Sequence, residues 1–297
     1  MYPEFGLQTI CDAFGITRQA HYKQIHRSNE LAMQQAIIIK MVESVRKDMP
    51  RIGGRKLFFM LQGSFLEHKI DIGRDKFFDI LNRYGFLIRK KKRRRPITTD
   101  SDHPFYKYPN LIKEMKALYP NHLWVSDITY ISLINKFAYL SLITDVYSRK
   151  IVGYCLWQNL SAEGPLRALQ MALENRKVKS ALVHHSDRGL QYCSREYIKQ
   201  LSDNGIGISM TENGDPYENA LAERINGILK SEFDLYKTFK SLELAKEWID
   251  QVIEIYNNKR PHSSCDYLTP NQAFQSTGNL KNKWKKEKTI FVNQYQD

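Results

Sequence analysis

The chain has 297 residues, with 45 Lys+Arg against 32 Asp+Glu, a formal net charge of +13, and 42% apolar residues. This is a globular composition, long enough for roughly two domains, and it excludes a disordered or fibrous protein. No apolar run approaches the ~20 residues that cross a bilayer. The start, Met1-Tyr2-Pro3-Glu4-Phe5, lacks a basic and then apolar leader, and Cys11, Cys155, Cys193 and Cys265 form no Cys-x-x-Cys pair. A reducing cytoplasm, with no membrane partner, is the expected compartment.

In chain order, helical periodicity comes first. Leu7 to Phe14 is followed by Gly15, and Thr17 is placed to cap a segment through Ile25, a helix-turn-helix-like spacing over residues 1–35. A second helical set, assigned to 36–95, runs from Ala36 to Asp48, from Gly54 to Leu66 and from Gly73 to Tyr84, closing at Pro50 and Gly85. It ends in seven contiguous charges, Arg89, Lys90, Lys91, Lys92, Arg93, Arg94 and Arg95. Residues 1–95 hold 20 Lys+Arg and 9 Asp+Glu, and the rest hold 25 and 23, so nearly all of the positive surplus is N-terminal. A polyanion relieves such self-repulsion and releases counterions, which points to nucleic acid. A solvated linker with no partner is the plainer reading of the run by itself.

Residues 96–115 are polar and proline-bearing, a linker. From there to residue 275 strand-like and helix-like segments alternate. Three strands are predicted at His122–Ile131, Phe137–Val146 and Lys150–Trp157, then a helix over Ala162–Asn175 and a strand at Ala181–His185. A helix around Glu196–Ser202, a strand near Ile206–Met210 and helices at Tyr217–Phe233 and Leu242–Tyr256 complete a mixed sheet flanked by helices, an α/β domain. Residues 276–297 form a basic tail.

Three of the acidic residues have a physical reason to be singled out. Asp127 interrupts the apolar strand Leu123-Trp124-Val125-Ser126-Asp127-Ile128, where a charge needs compensation. Asp187 follows a short strand, the place where open α/β sheets put their sites. Glu223 shares a polar helix face with Asn219, Asn226 and Lys230, opposite the stripe of Leu221, Ile225, Ile228 and Leu229. Carboxylates converging at one sheet edge suit hard divalent cations, and two such ions about 3.5–4 Å apart drive in-line displacement at a phosphodiester. Taken singly, Asp127 could pair with an arginine, Asp187 could serve a turn, and Glu223 could face solvent.

Together the residues carry a resemblance. The segments Trp124-Val125-Ser126-Asp127-Ile128-Thr129-Tyr130, His185-Ser186-Asp187-Arg188-Gly189 with Gln191-Tyr192, and Asn219-Ala220-Leu221-Ala222-Glu223, with 35 residues between Asp187 and Glu223, resemble the integrase-core DDE transposases of bacterial insertion sequences. More narrowly they resemble the downstream-frame (OrfB) transposases of the IS-three group. Asp145 to Tyr154, Tyr256 to His262 and Thr269-Pro270 match too, as do Gly53-Gly54-Arg55-Lys56 and Asn82 to Phe86 in the helix-turn-helix part.

The resemblance implies an RNase H-like catalytic core over 116–275, preceded by an all-α helix-turn-helix region. It implies two Mg²⁺ ions, with Mn²⁺ as a substitute, bridged by Asp127 and completed by Asp187 and Glu223. It further implies double-stranded DNA as substrate, both the inverted-repeat ends of an element and the target, a homo-oligomeric synapse at the nucleoid, and an upstream-frame helix-turn-helix protein as fusion or partner. Lys230 and Asn226, with Arg89 to Arg95, are the expected DNA contacts. Where the family commonly has Asn-Pro-Tyr-Asp-Asn-Ala this chain reads Asp215-Pro216-Tyr217-Glu218-Asn219-Ala220, an acidic capping box that leaves Glu223 in phase.

Two rival classes share part of this pattern. A non-catalytic helix-turn-helix regulator with a degenerate core does not need three carboxylates, and a simple RNase H-like nuclease does not need the basic N-terminal half. Asp145 is read as structural, paired with Arg149 or Lys150. At most one of His184 and His185 can face the metals, because adjacent strand residues point oppositely. Trp124, Trp157 and Trp248 are read as core aromatics.

Overall fold

The computed structural model describes residues 6–88, 104–177, 180–212 and 219–281. The chain separates into two units, Met1–Arg89 and Lys90–Asp297. The basic run, the acidic capping box at 215–218 and residues 282–297 of the tail lie outside the described residues.

The first unit is helical, with α1 (Leu7–Ala13), α2 (Arg18–Asp48), α3 (Gly54–Glu67) and α4 (Arg74–Arg83). Thr17 caps α2, its hydroxyl accepting from the Ala20 amide at 3.1 Å. Gly15 and Gly85 stand just past α1 and α4 with φ of 65° and 73°, as their closing role requires. Where the sequence predicts separate helices through Ile25 and from Ala36, the structure has one 31-residue helix, which crosses the expected boundary at residue 35. The physical reason is plain: from Thr17 to Met49 the chain contains neither Gly nor Pro, so nothing stops the helix once it is capped. Its core contacts come from the second half, at Ile38 and Val42. Around them Leu57, Leu61, Phe65, Phe77, Ile80 and Leu81 close an apolar centre, with the Phe58, Phe65 and Phe77 rings 5.4–6.1 Å apart. Arg46 ties the end of α2 to the segment after α4, donating to the Phe86 carbonyl at 2.6 Å.

The second unit is a five-stranded sheet in the order β3-β2-β1-β4-β5. Its strands are β1 (Leu123–Leu133), β2 (Lys136–Asp145), β3 (Ile151–Trp157), β4 (Val183–Ser186) and β5 (Gly207–Met210). The first three make the predicted antiparallel meander, and β4 and β5 add in parallel beside β1. Helices α5 (Glu163–Glu174), α6 (Arg195–Asp203), α7 (Ala220–Glu232) and α8 (Leu242–Lys259) flank the sheet, and a short α9 (Pro270–Phe274) follows. The mixed sheet with flanking helices is the α/β architecture expected from the sequence. The sequence reading did not anticipate α9, although Thr269 and Gln272 cap it reciprocally with Pro270 in its first turn.

One face of the sheet packs Trp124, Ile143 and Val152 against Ala168, Leu169 and Ala172 of α5 and Tyr197 and Leu201 of α6. Gly153 lets α5 lie directly on β3: a β-carbon there would stand 2.1 Å from the Ala168 carbonyl oxygen. Strand alternation then turns Asp127 away from the face that holds Trp124 and Ser126, toward α7.

Candidate active site

Asp127 sits in mid-strand, opposite Leu142 of β2. Its carboxylate has two hydrogen bonds: Oδ1 accepts from the Ile128 amide at 2.9 Å and Oδ2 from the Asn226 side-chain amide at 2.8 Å. Desolvation, then the Asp187 charge and, more weakly, that of Glu223 raise its pKa to about 7, against the two hydrogen bonds. The charges of Asp187 and Glu223 thus both reach Asp127. Among the described residues, however, no three His, Cys, Asp or Glu side chains stand close enough together to hold one ion.

The flanking elements explain the placement of the other two acids. Asp187 follows β4, and its Oδ1 accepts from the Gly189 amide at 3.0 Å, which turns the loop back on itself. Glu223 is exposed in the first turn of α7. That helix is anchored at both ends. Asn219, at its start, donates to the Ser126 carbonyl of β1 at 2.8 Å, beside Asp127. Glu232, at its end, receives a two-pronged contact from Arg260, Nε to Oε2 and Nη2 to Oε1, each 2.8 Å. Arg260 is 1% exposed, with Nη1 also 2.7 Å from His262 Nε2. The Arg260-Pro261-His262 motif thus fixes the helix that carries Glu223.

Asn226, expected at DNA, is instead 5% exposed, with its amide committed to Asp127 and its Oδ1 buried without a hydrogen-bond partner. Its phase, three residues beyond Glu223 on the same helix face, is the signal that places it beside the carboxylates. Lys230 is half-buried, with Nζ 5.8 Å from the Tyr236 ring centroid. Arg89 to Arg95 lie outside the described residues.

The remaining polar residues settle into the core. Asp145 is buried, and its oxygens accept from the Asn121 and Ser148 amides at 2.8 Å and from the Ser148 hydroxyl at 2.5 Å. It is structural as expected: these hydrogen bonds hold its carboxylate, and the Arg149 and Lys150 charges act on it as well. His184 Nε2 lies 2.7 Å from Ser126 Oγ and 2.9 Å from the Tyr197 hydroxyl, and burial pushes its pKa down to about 3. His185 Nδ1 is 2.8 Å from Ser209 Oγ. Trp124 is core, with its indole N–H on Asn121, while Trp157 and Trp248 are only partly buried, beneath Arg167 and Lys237.

The set fits divalent cations by donor chemistry. All of its ligating atoms are carboxylate oxygens, and the ionised form of Asp127, disfavoured by burial and two like charges, is the form that a cation stabilises.

Comparison with known proteins gives a consistent picture. Two models of the integrase core domain match residues 117–216 and 204–270. The 31 kDa protein of insertion element IS600 from Shigella sonnei is 32% identical over 88% of this chain and 96% of its own length. The transposase of IS629 from the same species is 30% identical over 93% and 95%. A chain of the simian T-cell lymphotropic virus intasome aligns in three dimensions with a TM-score of 0.46 at 19% identity, over 72% of this chain and 70% of that one.

Proposed function

Since the chain belongs to the insertion-sequence transposases of the IS-three group and is a DDE-type transposase, we propose that Asp127, Asp187 and Glu223 are its catalytic carboxylates. The observation that carries this is Asp127 itself, a half-buried acid in an apolar strand whose pKa is raised to about 7 by desolvation and then by the charges of Asp187 and, more weakly, Glu223. The three would hold two divalent ions, Mg²⁺ or Mn²⁺, with rotation of the side chains drawing them together. Ions bound there would activate an attacking oxygen and stabilise the leaving oxygen of a phosphodiester.

The protein's own groups supply the geometry. Asn226 holds Asp127 in one orientation. Asn219 and Arg260 pin the two ends of α7, so that Glu223 faces the sheet edge from a fixed helix. Lys230, two turns or ~10.5 Å further along, would meet a terminal phosphate. The substrate is double-stranded DNA: a 3′-hydroxyl is freed at an element end and then attacks a second phosphodiester, within a homo-oligomeric synapse that brings two ends together. The helical region through residue 95, with its basic run, serves end recognition, residues 96–115 link it to the catalytic core at 116–275, and the tail at 276–297 adds backbone contacts.

The test is incubation of the purified protein with a labelled element end, a plasmid and Mg²⁺. Joined products are expected. Nicks without joining would instead indicate a simple nuclease, and binding without either a regulator.

A further inference from the structure

Part of the segment expected to be a linker is fastened to the catalytic sheet. Strand β5 is the last in the sheet order, and on its outer side the Met210 amide donates to the Pro109 carbonyl at 3.3 Å. The Leu111 amide donates to Ser209 Oγ at 2.9 Å, and the Asn110 amide to Glu212 Oε1 at 3.4 Å. From Leu111 back to Pro109 the chain thus passes from Ser209 to Met210, toward the C-terminal ends of the parallel strands β1, β4 and β5. Asp187 stands at that end, directly after Ser186, the partner of Met210.

The residues before Pro109 carry the segment past the end of the sheet. No turn or bend interrupts it from Tyr106 to Leu111. Tyr106 and Tyr108 share one side, as extended backbone requires, with their rings 5.0 Å apart at 89°. Tyr108 is half-buried, whereas Tyr106 is 72% exposed. An exposed tyrosine is ordinary by itself; this one is braced edge to face by a second ring, at the carboxylate end of the sheet. The Lys107 and Asp187 charges both reach the Cys193 thiol, in keeping with that placement. Charge suits a polyanion here: residues 104–118 carry Lys107, Lys113 and Lys116 against Glu114, and Glu212 opposite is paired with Lys113 at 2.5 Å.

We propose that Tyr106 is a base-stacking contact for the DNA strand that enters the active site. Two strand spacings of ~4.8 Å separate the Pro109 line from β4, which is about three nucleotides at ~3.4 Å each. A strand whose phosphodiester lies at the carboxylates therefore presents a nearby terminal or unpaired base to the open face of the Tyr106 ring. Stacking on an aromatic ring needs no particular base, since every base has a π-face. The inference rests on the reading of Asp127, Asp187 and Glu223 as the catalytic carboxylates and extends it to the substrate strand.

The test uses the full-length protein and an element end carrying 2-aminopurine, whose fluorescence falls on stacking, at each of the positions next to the reacting phosphodiester in turn. Wild type, Tyr106→Phe, Tyr106→Ala and Asp127→Asn are compared for quenching, end binding, joining and melting temperature. Wild type and Tyr106→Phe are expected to quench alike. Tyr106→Ala is expected to lose the quench and bind the end about 5–150-fold more weakly, at an unchanged melting temperature because the ring is exposed. Asp127→Asn should keep the quench and lose joining. Wild-type quenching and affinity in Tyr106→Ala overturn the inference, whether or not that variant loses self-association in sedimentation, a loss that would give the surface to a second copy. Loss of the quench in Tyr106→Phe overturns stacking as well, by assigning the effect to the hydroxyl. A wild-type protein that neither binds nor joins the end removes the catalytic reading, whereas joining by wild type and Tyr106→Ala alike removes this inference alone.

Discussion

Among the described residues of the helical unit every buried side chain is apolar, from Cys11 and Ile38 to Phe77 and Leu81, whereas the sheet unit also buries Ser126, Asp145, His184, Asn219, Asn226, Asn257 and Arg260. Apolar burial is non-directional and fixes a shape to within what packing tolerates. Hydrogen bonds between buried groups fix distances and angles, at the risk of a large penalty when one partner is lost. The sheet unit takes that risk around one strand and one helix. Ser126, Asp127, Asn219, Asn226, Glu232 and Arg260 form the frame that sets where Asp127 and the helix of Glu223 stand. The described residues of the helical unit bury no such polar frame.

Substitutions should divide along the same line. The largest stability loss is expected from Arg260→Ala, which leaves the mostly covered Glu232 without its guanidinium: about 3–5 kcal/mol in urea unfolding. A loss below ~1 kcal/mol, the level of an exposed pair, would show that the α7 anchor is weak. Gly153→Ala forces a methyl against the Ala168 carbonyl and should cost about 1–3 kcal/mol or more, lowering the melting temperature by separating α5 from β3. An unchanged melting temperature would mean that the helix can shift without loss.

His184 sharpens the comparison through pH. Its pKa falls to about 3 from an ordinary 6.5, so below 6.5 the unfolded chain takes up a proton that the folded chain refuses. Stability is therefore fully present above pH 6.5 and falls as the pH drops toward 3, with a slope approaching ~1.4 kcal/mol per pH unit. His184→Gln should flatten that part of the curve. Parallel curves for the two proteins would rule out His184 as the source. The smallest effect belongs to the helical unit: Thr17→Ala removes the cap of α2 and should cost ~1 kcal/mol, leaving end joining per folded molecule unchanged. A loss of joining beyond the loss of fold would break the division between the two regions.

The sheet was legible because its strands carry β-branched and aromatic residues between short polar turns, and Asp127 was legible because it breaks an apolar strand. The middle of α2 was not. From His26 to Met33 it is mostly polar and exposed, so it has no apolar period to read, and only the absence of a breaker marks it as helix. The role of Asn226 was hidden for another reason: its helix face was visible, but the strand that meets that face is 99 residues away in sequence. The Arg260 contact to Glu232 is likewise a product of tertiary packing, across 28 residues. The α9 cap was readable in Thr269, Pro270 and Gln272, a local signal that the larger motif obscured.

The central claim is that Asp127, Asp187 and Glu223 act together on one phosphodiester. It is tested most directly by measuring the rate at which Asp127→Asn, Asp187→Asn and Glu223→Gln each join a labelled element end to plasmid, with end binding measured in parallel. The prediction is a loss beyond ~100-fold, larger than changes behind the ligands produce, in every variant while binding persists. Joining near the wild-type rate by any one of the three would contradict it.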